Sequence, residues 1–326
     1  MRSVGIIGTG SFAPPKVLTN SDLEKMVDTS DEWIRTRTGI RERRIAEPEV
    51  ASSDLAAESA RRALDSAGLG ATSIGLIIVA TVTPDMSFPC TASLLQEMLG
   101  ATGAAAFDLV VGCTGFVYGL AAAREMIATG AYERALVVGA ETLSRITDWQ
   151  DRRTCVLFGD AAGSAILAPV EEGRGILAYS LGNDGTNADA LKLPAGGSRL
   201  PASAETVANR QHYLTMNGQE VFKFAVRAMV ESSEEVVRRA GLTMSDIAVV
   251  IPHQANLRII EAAAKRMDLP IERFECNIDR YGNTSAATIP LALDEAVRAG
   301  RIKSGDYILL SVFGAGLAWG SMVLRW

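Results

Sequence analysis

The chain has 326 residues, is 48% hydrophobic, and carries 32 Lys and Arg against 38 Asp and Glu, a net charge of −6. That length supplies a large core and roughly two domain-sized units of ~150 residues. The negative balance argues against a general nucleic-acid binder, and no apolar run approaches the ~18 residues that cross a bilayer, so no membrane partner is expected.

The N-terminus reaches Thr9 and Gly10 too soon to supply a secretory apolar core, and the four cysteines (Cys90, Cys113, Cys155, Cys276) contain no C-x-x-C pair. Reduced thiols and a cytoplasmic location are therefore expected, with no disulfide framework and no metal site. Gly8-Thr9-Gly10-Ser11-Phe12-Ala13 follows an apolar strand and imitates a dinucleotide-binding turn. Pro14 and Pro15 come directly after it. Lacking N–H groups, they interrupt the helix such a turn requires, so nicotinamide binding is rejected and no cofactor is expected.

An amphipathic helix starts at Ser53 and Asp54 and stops at Gly68, and the β-branched run 76–79 reads as a strand covered on both faces. The apolar run 107–112 then gives way, at Cys113, to a helix beginning Thr114-Gly115-Phe116. The unpartnered N–H groups of such a helix start favour a thiolate, which makes Cys113 a candidate nucleophile; the alternative is a small buried hydrophobe.

Sliding the chain by 173 residues places Ala67-Gly68-Leu69 on Ala240-Gly241-Leu242, Ile77-Ile78 on Val250-Ile251, and Ala135-Leu136-Val137 on Ile308-Leu309-Leu310. The constant offset, with the same order of helix, glycine and strand, indicates one α/β unit written twice. The halves are assigned to 1–172 and 173–326, with no low-complexity linker between them. Sites favour such seams.

In the second half the strand 249–251 runs into Pro252-His253-Gln254-Ala255-Asn256. His253 is either a proton carrier or donor facing Cys113, or a histidine satisfied by backbone at a strand end. Asn283, in Tyr281-Gly282-Asn283-Thr284-Ser285, is either a neutral hydrogen-bond donor to a developing negative charge or a helix N-cap. The glycine-rich 313–320 follows a strand over 307–312, and its backbone N–H groups suit half of an oxyanion hole.

Together these segments resemble β-ketoacyl-acyl-carrier-protein synthase III, the condensing enzyme that initiates type II fatty acid synthesis. The resemblance is carried almost end to end, by Thr29-Ser30-Asp31-Glu32-Trp33-Ile34, Gly112-Cys113-Thr114-Gly115-Phe116, Phe158-Gly159-Asp160-Ala161-Ala162-Gly163, Asn217-Gly218-Gln219-Glu220, Pro252-His253-Gln254-Ala255-Asn256 and Gly282-Asn283-Thr284-Ser285. It implies the α/β thiolase fold, two similar halves in five layers α-β-α-β-α, as a homodimer. It also implies that Cys113 takes an acyl group from acyl-CoA, and that His253 and Asn283 hold the thioester carbonyl of malonyl-acyl-carrier protein during decarboxylation. By the same resemblance, the backbone N–H groups of Cys113 and Ala315 are expected to form the oxyanion hole.

The resemblance further assigns Trp33 and Arg152 to the adenine of CoA, Arg37 to a phosphate, Asn256 to the pantetheine arm, and Phe88 to the acyl pocket of a partner subunit. Each has an ordinary surface or core role as its alternative. Lys223 and Arg258, on helical faces shared with Arg227 and Lys265, are assigned to docking of the acidic carrier protein, against the alternative of a solvated face. A secondary-metabolite acyltransferase or ketosynthase of the same family with a different acceptor, and a noncatalytic acyl-CoA-binding protein, are the competing functions.

Overall fold

The structure is a computed structural model and describes residues 2–326. Its first sheet contains β1 (Val4–Phe12), β2 (Leu76–Ala80), β3 (Ala105–Leu109), β4 (Ala135–Glu141) and β5 (Ala161–Pro169), in the order β1-β5-β4-β2-β3. β2 is parallel to both β3 and β4, while β5 runs antiparallel to β4 and β1. β2 and β4 are buried at every residue, which accounts for the unbroken apolar sequence of β2 and, up to the terminal Glu141, of β4.

The second sheet holds β6 (Gly175–Asn183), β7 (Ile247–Pro252), β8 (Tyr307–Gly314) and β9 (Ala318–Arg325), in the order β7-β8-β9-β6. It copies the first sheet from β2 to β1. Where the first sheet adds β3, the second has a single parallel bridge between Val250 and Phe274.

Helices α1 (Asp31–Thr38), α2 (Ser52–Ala67), α3 (Thr91–Leu99), α4 (Gly115–Ala128), α5 (Gly218–Arg239), α6 (Leu257–Arg266) and α7 (Thr288–Arg298) complete the frame. α2 and α3 cover the outer face of the first sheet, and α5 covers that of the second with α6 packed beside it. α4 and α7 lie between the sheets, so the layers run α-β-α-β-α, as the resemblance implied. Both central helices are buried along most of their length, and their first residues, Gly115 and Thr288, again stand 173 positions apart. None of the described helices is long and apolar enough to cross a membrane.

Two expectations are corrected locally. The N-cap of α2 is Ala51, whose N–H donates to the Asp54 carboxylate at 2.8 Å, and Ser53 lies inside the first turn with its hydroxyl on Asp85 at 2.6 Å. The glycines of the dinucleotide look-alike sit within β1, where a Cβ on Gly10 would stand 2.3 Å from the Ser59 carbonyl of α2. Between them, Thr9 and Ser11 donate to the buried Asp294 of α7 at 2.8 and 2.7 Å, which ties the first sheet to the central layer.

Gly139 decides how the halves meet. A Cβ there would lie 2.1 Å from the Ala286 carbonyl, so only glycine admits the turn Ser285–Ala287 onto β4. Gly139→Ala is expected to destabilise the fold by roughly 1–3 kcal/mol through overpacking. A denaturant midpoint unchanged from the parent would contradict that close approach.

Candidate active site

Cys113 is the middle residue of a 3₁₀ turn, Gly112–Thr114, that joins β3 to α4. Gly112 takes a left-handed backbone, φ 56°, which reverses the chain and sets the sulfur over the start of α4. His253 directly follows β7, and its N–H continues the parallel ladder to the Ser311 carbonyl at 2.8 Å. Asn283 is fixed by its backbone, donating to the Leu157 carbonyl at 2.8 Å and accepting from the Gly159 N–H at 3.0 Å. Three separate chain crossings thus deliver three side chains to the ends of the central strands.

Their environments differ in useful ways. Cys113, His253 and Asn283 are 8%, 1% and 7% exposed, and all three line one cavity of about 480 Å³ together with Phe313, Gly314 and Ala315. Burial pushes the Cys113 thiol up to about 12, while a Ser285 hydrogen bond opposes the shift and the nearby Glu141 adds to it. The expectation of a resting thiolate is therefore corrected. Desolvation of the sulfur outweighs the oriented N–H groups of the helix start.

Burial also depresses the His253 imidazole to about 3, so the ring is neutral across the physiological range. It meets Phe313 edge-on at 5.1 Å between centroids, and its Nδ1 is buried without a partner. The Asn283 Oδ1 accepts from the Ser285 N–H at 2.9 Å, which commits the oxygen and leaves the NH₂ group for a ligand. A neutral imidazole and a carboxamide NH₂ are donors suited to an enolate oxygen.

The segments that carry Cys113 and Ala315, the residues expected to form an oxyanion hole, touch each other. A Cβ on Gly112 would fall 3.3 Å from the Ala315 nitrogen, and one on Gly314 would fall 3.0 Å from the Cys113 nitrogen. Glycine at both positions keeps a side chain away from the two backbone nitrogens.

The mouth of the cavity is lined by Trp33, Arg37 and Asn256. Arg152 lies outside the lining and stacks on the Trp33 ring, its guanidinium carbon 4.8 Å from the centroid, so the two faces touch each other with no gap for a base between them. Asn256 is the N-cap of α6, accepting from the Arg258 N–H at 2.9 Å and donating to the Arg37 carbonyl at 3.0 Å, which commits both ends of its amide. Lys223 and Arg258 are exposed and do not line the cavity, although their neighbours Phe222 and Ile259 do. Phe88 is 85% exposed and lies outside the cavity of its own chain.

Sequence reasoning missed Gln254, Ser285 and Glu141. Gln254 accepts from the Asn277 and Ile278 N–H groups and donates to the Pro252 and Glu275 carbonyls, which locks the strand end that carries His253. Ser285 shares the cavity with Cys113 and donates to Glu141, an acid buried at the end of β4. The signal available for Ser285 was the repeat itself, whose offset pairs it with Gly112.

The chain also matches known proteins. Residues 107–185 match the family described as 3-oxoacyl-[acyl-carrier-protein (ACP)] synthase III, and residues 237–326 match its C-terminal family. The chain is similar to the beta-ketoacyl-[acyl-carrier-protein] synthase III of Caldanaerobacter subterraneus subsp. tengcongensis, with 60% identity over 99% of this chain and 98% of the relative. It is likewise 60% identical to that of Symbiobacterium thermophilum, over 100% of this chain and 99% of the relative. Among solved structures, the beta-ketoacyl-[acyl-carrier-protein] synthase III of Thermus thermophilus superposes with a TM-score of 0.93 at 50% identity, covering 99% of each chain. The chain, an acyltransferase with the thiolase fold, belongs to the 3-oxoacyl-[acyl-carrier-protein] synthase III family.

Proposed function

We propose that the protein condenses a short acyl-CoA primer, acetyl-CoA or similar, with malonyl-acyl-carrier protein through an acyl-Cys113 intermediate, the step that begins type II fatty acid synthesis. The observation that carries this reading is the convergence of a buried thiol, a neutral imidazole and a free carboxamide NH₂ on one apolar cavity. Cys113 attacks the thioester carbonyl, the N–H groups of Cys113 and Ala315 hold the oxyanion, and CoA leaves. Malonyl-carrier protein then enters. His253 and Asn283 donate to its thioester carbonyl, carbon dioxide departs, and the carbanion attacks acyl-Cys113 to give the β-ketoacyl product. Neutral donors suit this step because a charged acid protonates the carbanion before it attacks.

Supplying acetyl-CoA alone and mapping the acylated peptide tests the first half-reaction, with the acetyl group expected on Cys113. Adding malonyl-carrier protein should discharge it as a β-ketoacyl product. A chain that binds acetyl-CoA without covalent transfer is the noncatalytic binding protein instead.

The substrate-binding roles follow the same reading. A nucleobase enters between Trp33 and Arg152 once the arginine swings off the ring, Arg37 meets a phosphate, and Asn256 borders the pantetheine arm. Residues 1–172 carry the nucleophile and 173–326 carry both donors. The exposed Phe88 reaches the acyl pocket of a second copy in a cytoplasmic homodimer, whose mass in solution is a direct check.

Lys223 and Arg258 flank the entrance as exposed cations and meet the acidic carrier. Arg258→Glu is expected to raise KM for malonyl-carrier protein about tenfold, since reversing a rim charge acts mainly on encounter. Acetyl transfer from CoA to Cys113 is the internal control, and equal losses in both half-reactions would remove Arg258 from docking.

A further inference from the structure

Glu141 ends β4 with no solvent exposure, and its side-chain partners are all hydroxyls or backbone N–H groups. Oε2 accepts from the Thr81 and Thr83 hydroxyls at 3.2 and 2.7 Å and from the Val82 N–H at 3.1 Å. Oε1 accepts from the Ser285 hydroxyl at 2.9 Å. The segment 81–83 and the turn Ser285–Ala287 therefore present neutral donors, and the titratable group on this side of the acid is Cys113. Burial raises the Glu141 carboxyl to about 7, so it changes charge near neutrality. Glu141 does not line the cavity, but Ser285 does, beside Cys113, and its turn packs against the turn that carries the sulfur.

The internal repeat shows that this connection is more than a by-product of the fold. At the offset of 173, the turns Gly112–Thr114 and Ser285–Ala287 are copies of each other, and they pack together in the centre of the molecule. Their first residues share a left-handed backbone, φ 56° at Gly112 and 49° at Ser285. The first copy uses glycine there without strain, whereas serine costs about 1 kcal/mol or more. The strand ends invert the pattern. Glu141 at the end of β4 corresponds to Gly314 at the end of β8, which lies against Cys113. The contact between the strained serine and the buried acid thus spans the two copies, and the positions equivalent to them, Gly112 and Gly314, carry no side chain.

We propose that Ser285 and Glu141 form a proton relay that takes the thiol proton of Cys113 during acyl transfer and returns it after condensation. As Sγ bonds to the thioester carbon, the S–H proton passes to Ser285 Oγ and the Ser285 hydroxyl proton passes to Glu141 Oε1. The carbon–sulfur bond to CoA breaks, and the CoA thiolate takes a proton from water. After decarboxylation the carbanion bonds to the acyl carbon, the bond to Cys113 breaks, and the released thiolate recovers its proton from Glu141 through Ser285. One proton is consumed per turnover, matching the loss of the malonyl carboxylate as carbon dioxide. Glu141 acts through Ser285 and touches no reacting atom. The relay rests on the reading that Cys113 is the acylated nucleophile.

Single-turnover acetylation of Cys113 by acetyl-CoA, followed by intact mass from pH 5.5 to 8.5, tests it. In the parent protein the rate should climb with pH through about 7, where the Glu141 carboxyl ionises, and then level off. Ser285→Ala and Glu141→Gln should both lose that limb and acetylate roughly 10²-fold more slowly at pH 8, with half-saturation by acetyl-CoA unchanged. Either folded variant keeping the limb, or matching the parent rate, overturns the relay. Glutamine turns an NH₂ toward donors, so if Glu141→Gln does not fold, Ser285→Ala decides alone, because it leaves the acid and its other partners in place. A parent protein that gains no acetyl group on Cys113 defeats the acyl-transfer reading and the relay with it, whereas an acetylated parent with a flat pH profile defeats the relay only.

Discussion

Cys113→Ser should reduce turnover by at least about three orders of magnitude while leaving the fold intact. The site already holds the thiol near 12 by burial, and a hydroxyl in the same place is harder still to ionise. Any ester that does form is a poorer acyl donor to a carbanion than a thioester, so both half-reactions suffer. The N–H groups of Cys113 and Ala315 are backbone groups and survive the substitution, so binding of acyl-CoA is expected to persist. Intact mass after acetyl-CoA and the rate of β-ketoacyl product formation are the two readings. Turnover within tenfold of the parent would remove Cys113 from the nucleophile's role.

The second large effect separates the two half-reactions. His253→Ala and Asn283→Ala should each lower condensation about 10²–10³-fold, the usual cost of losing one donor to a developing oxyanion, while acetylation of Cys113 changes only a few-fold. The double variant should fall well short of the product of the two losses, because the donors share one oxygen. Since His253 stays neutral down to about 3, condensation from pre-acetylated enzyme should show no His253 limb between pH 5 and 8.

The same depressed pKa makes a stability prediction. Below the ordinary 6.5 the unfolded chain binds a proton that the folded one refuses, so stability falls as pH drops from 6.5 toward 3. His253→Ala should flatten that part of the acid-unfolding profile. An equal loss of acetylation and condensation in either alanine variant would place these residues in the architecture and outside the chemistry.

Much of this molecule was legible along the chain because its determinants are local or periodic. The apolar runs of β2, β7 and β8 have no polar face, since helices cover both sides, and such runs read as buried strands without any partner in view. The offset of 173 residues exposed the duplication, and the strand-to-helix junction marked Cys113 by the same rule that governs any helix start. The start of α2 was misplaced by two residues because Asp54 caps Ala51 by accepting from its backbone, an arrangement that does not require a polar side chain at the cap.

The chemistry of the site belongs to tertiary structure. A helix start beside Cys113 favours the anion, yet desolvation by the surrounding layers reverses the balance, and burial is a sum over segments remote in the chain. Glu141 reads as the polar end of a strand until the turn of the other half closes over it, and the spacing around Asn256 does not show that Arg37 and the first turn of α6 take up both ends of its amide. Residue types and their spacing determined the duplicated α/β plan and supplied a thiol, an imidazole and a carboxamide. Which protons those groups hold was decided only when two copies of one unit packed face to face, because charge in a protein interior depends on water excluded and on donors brought from elsewhere.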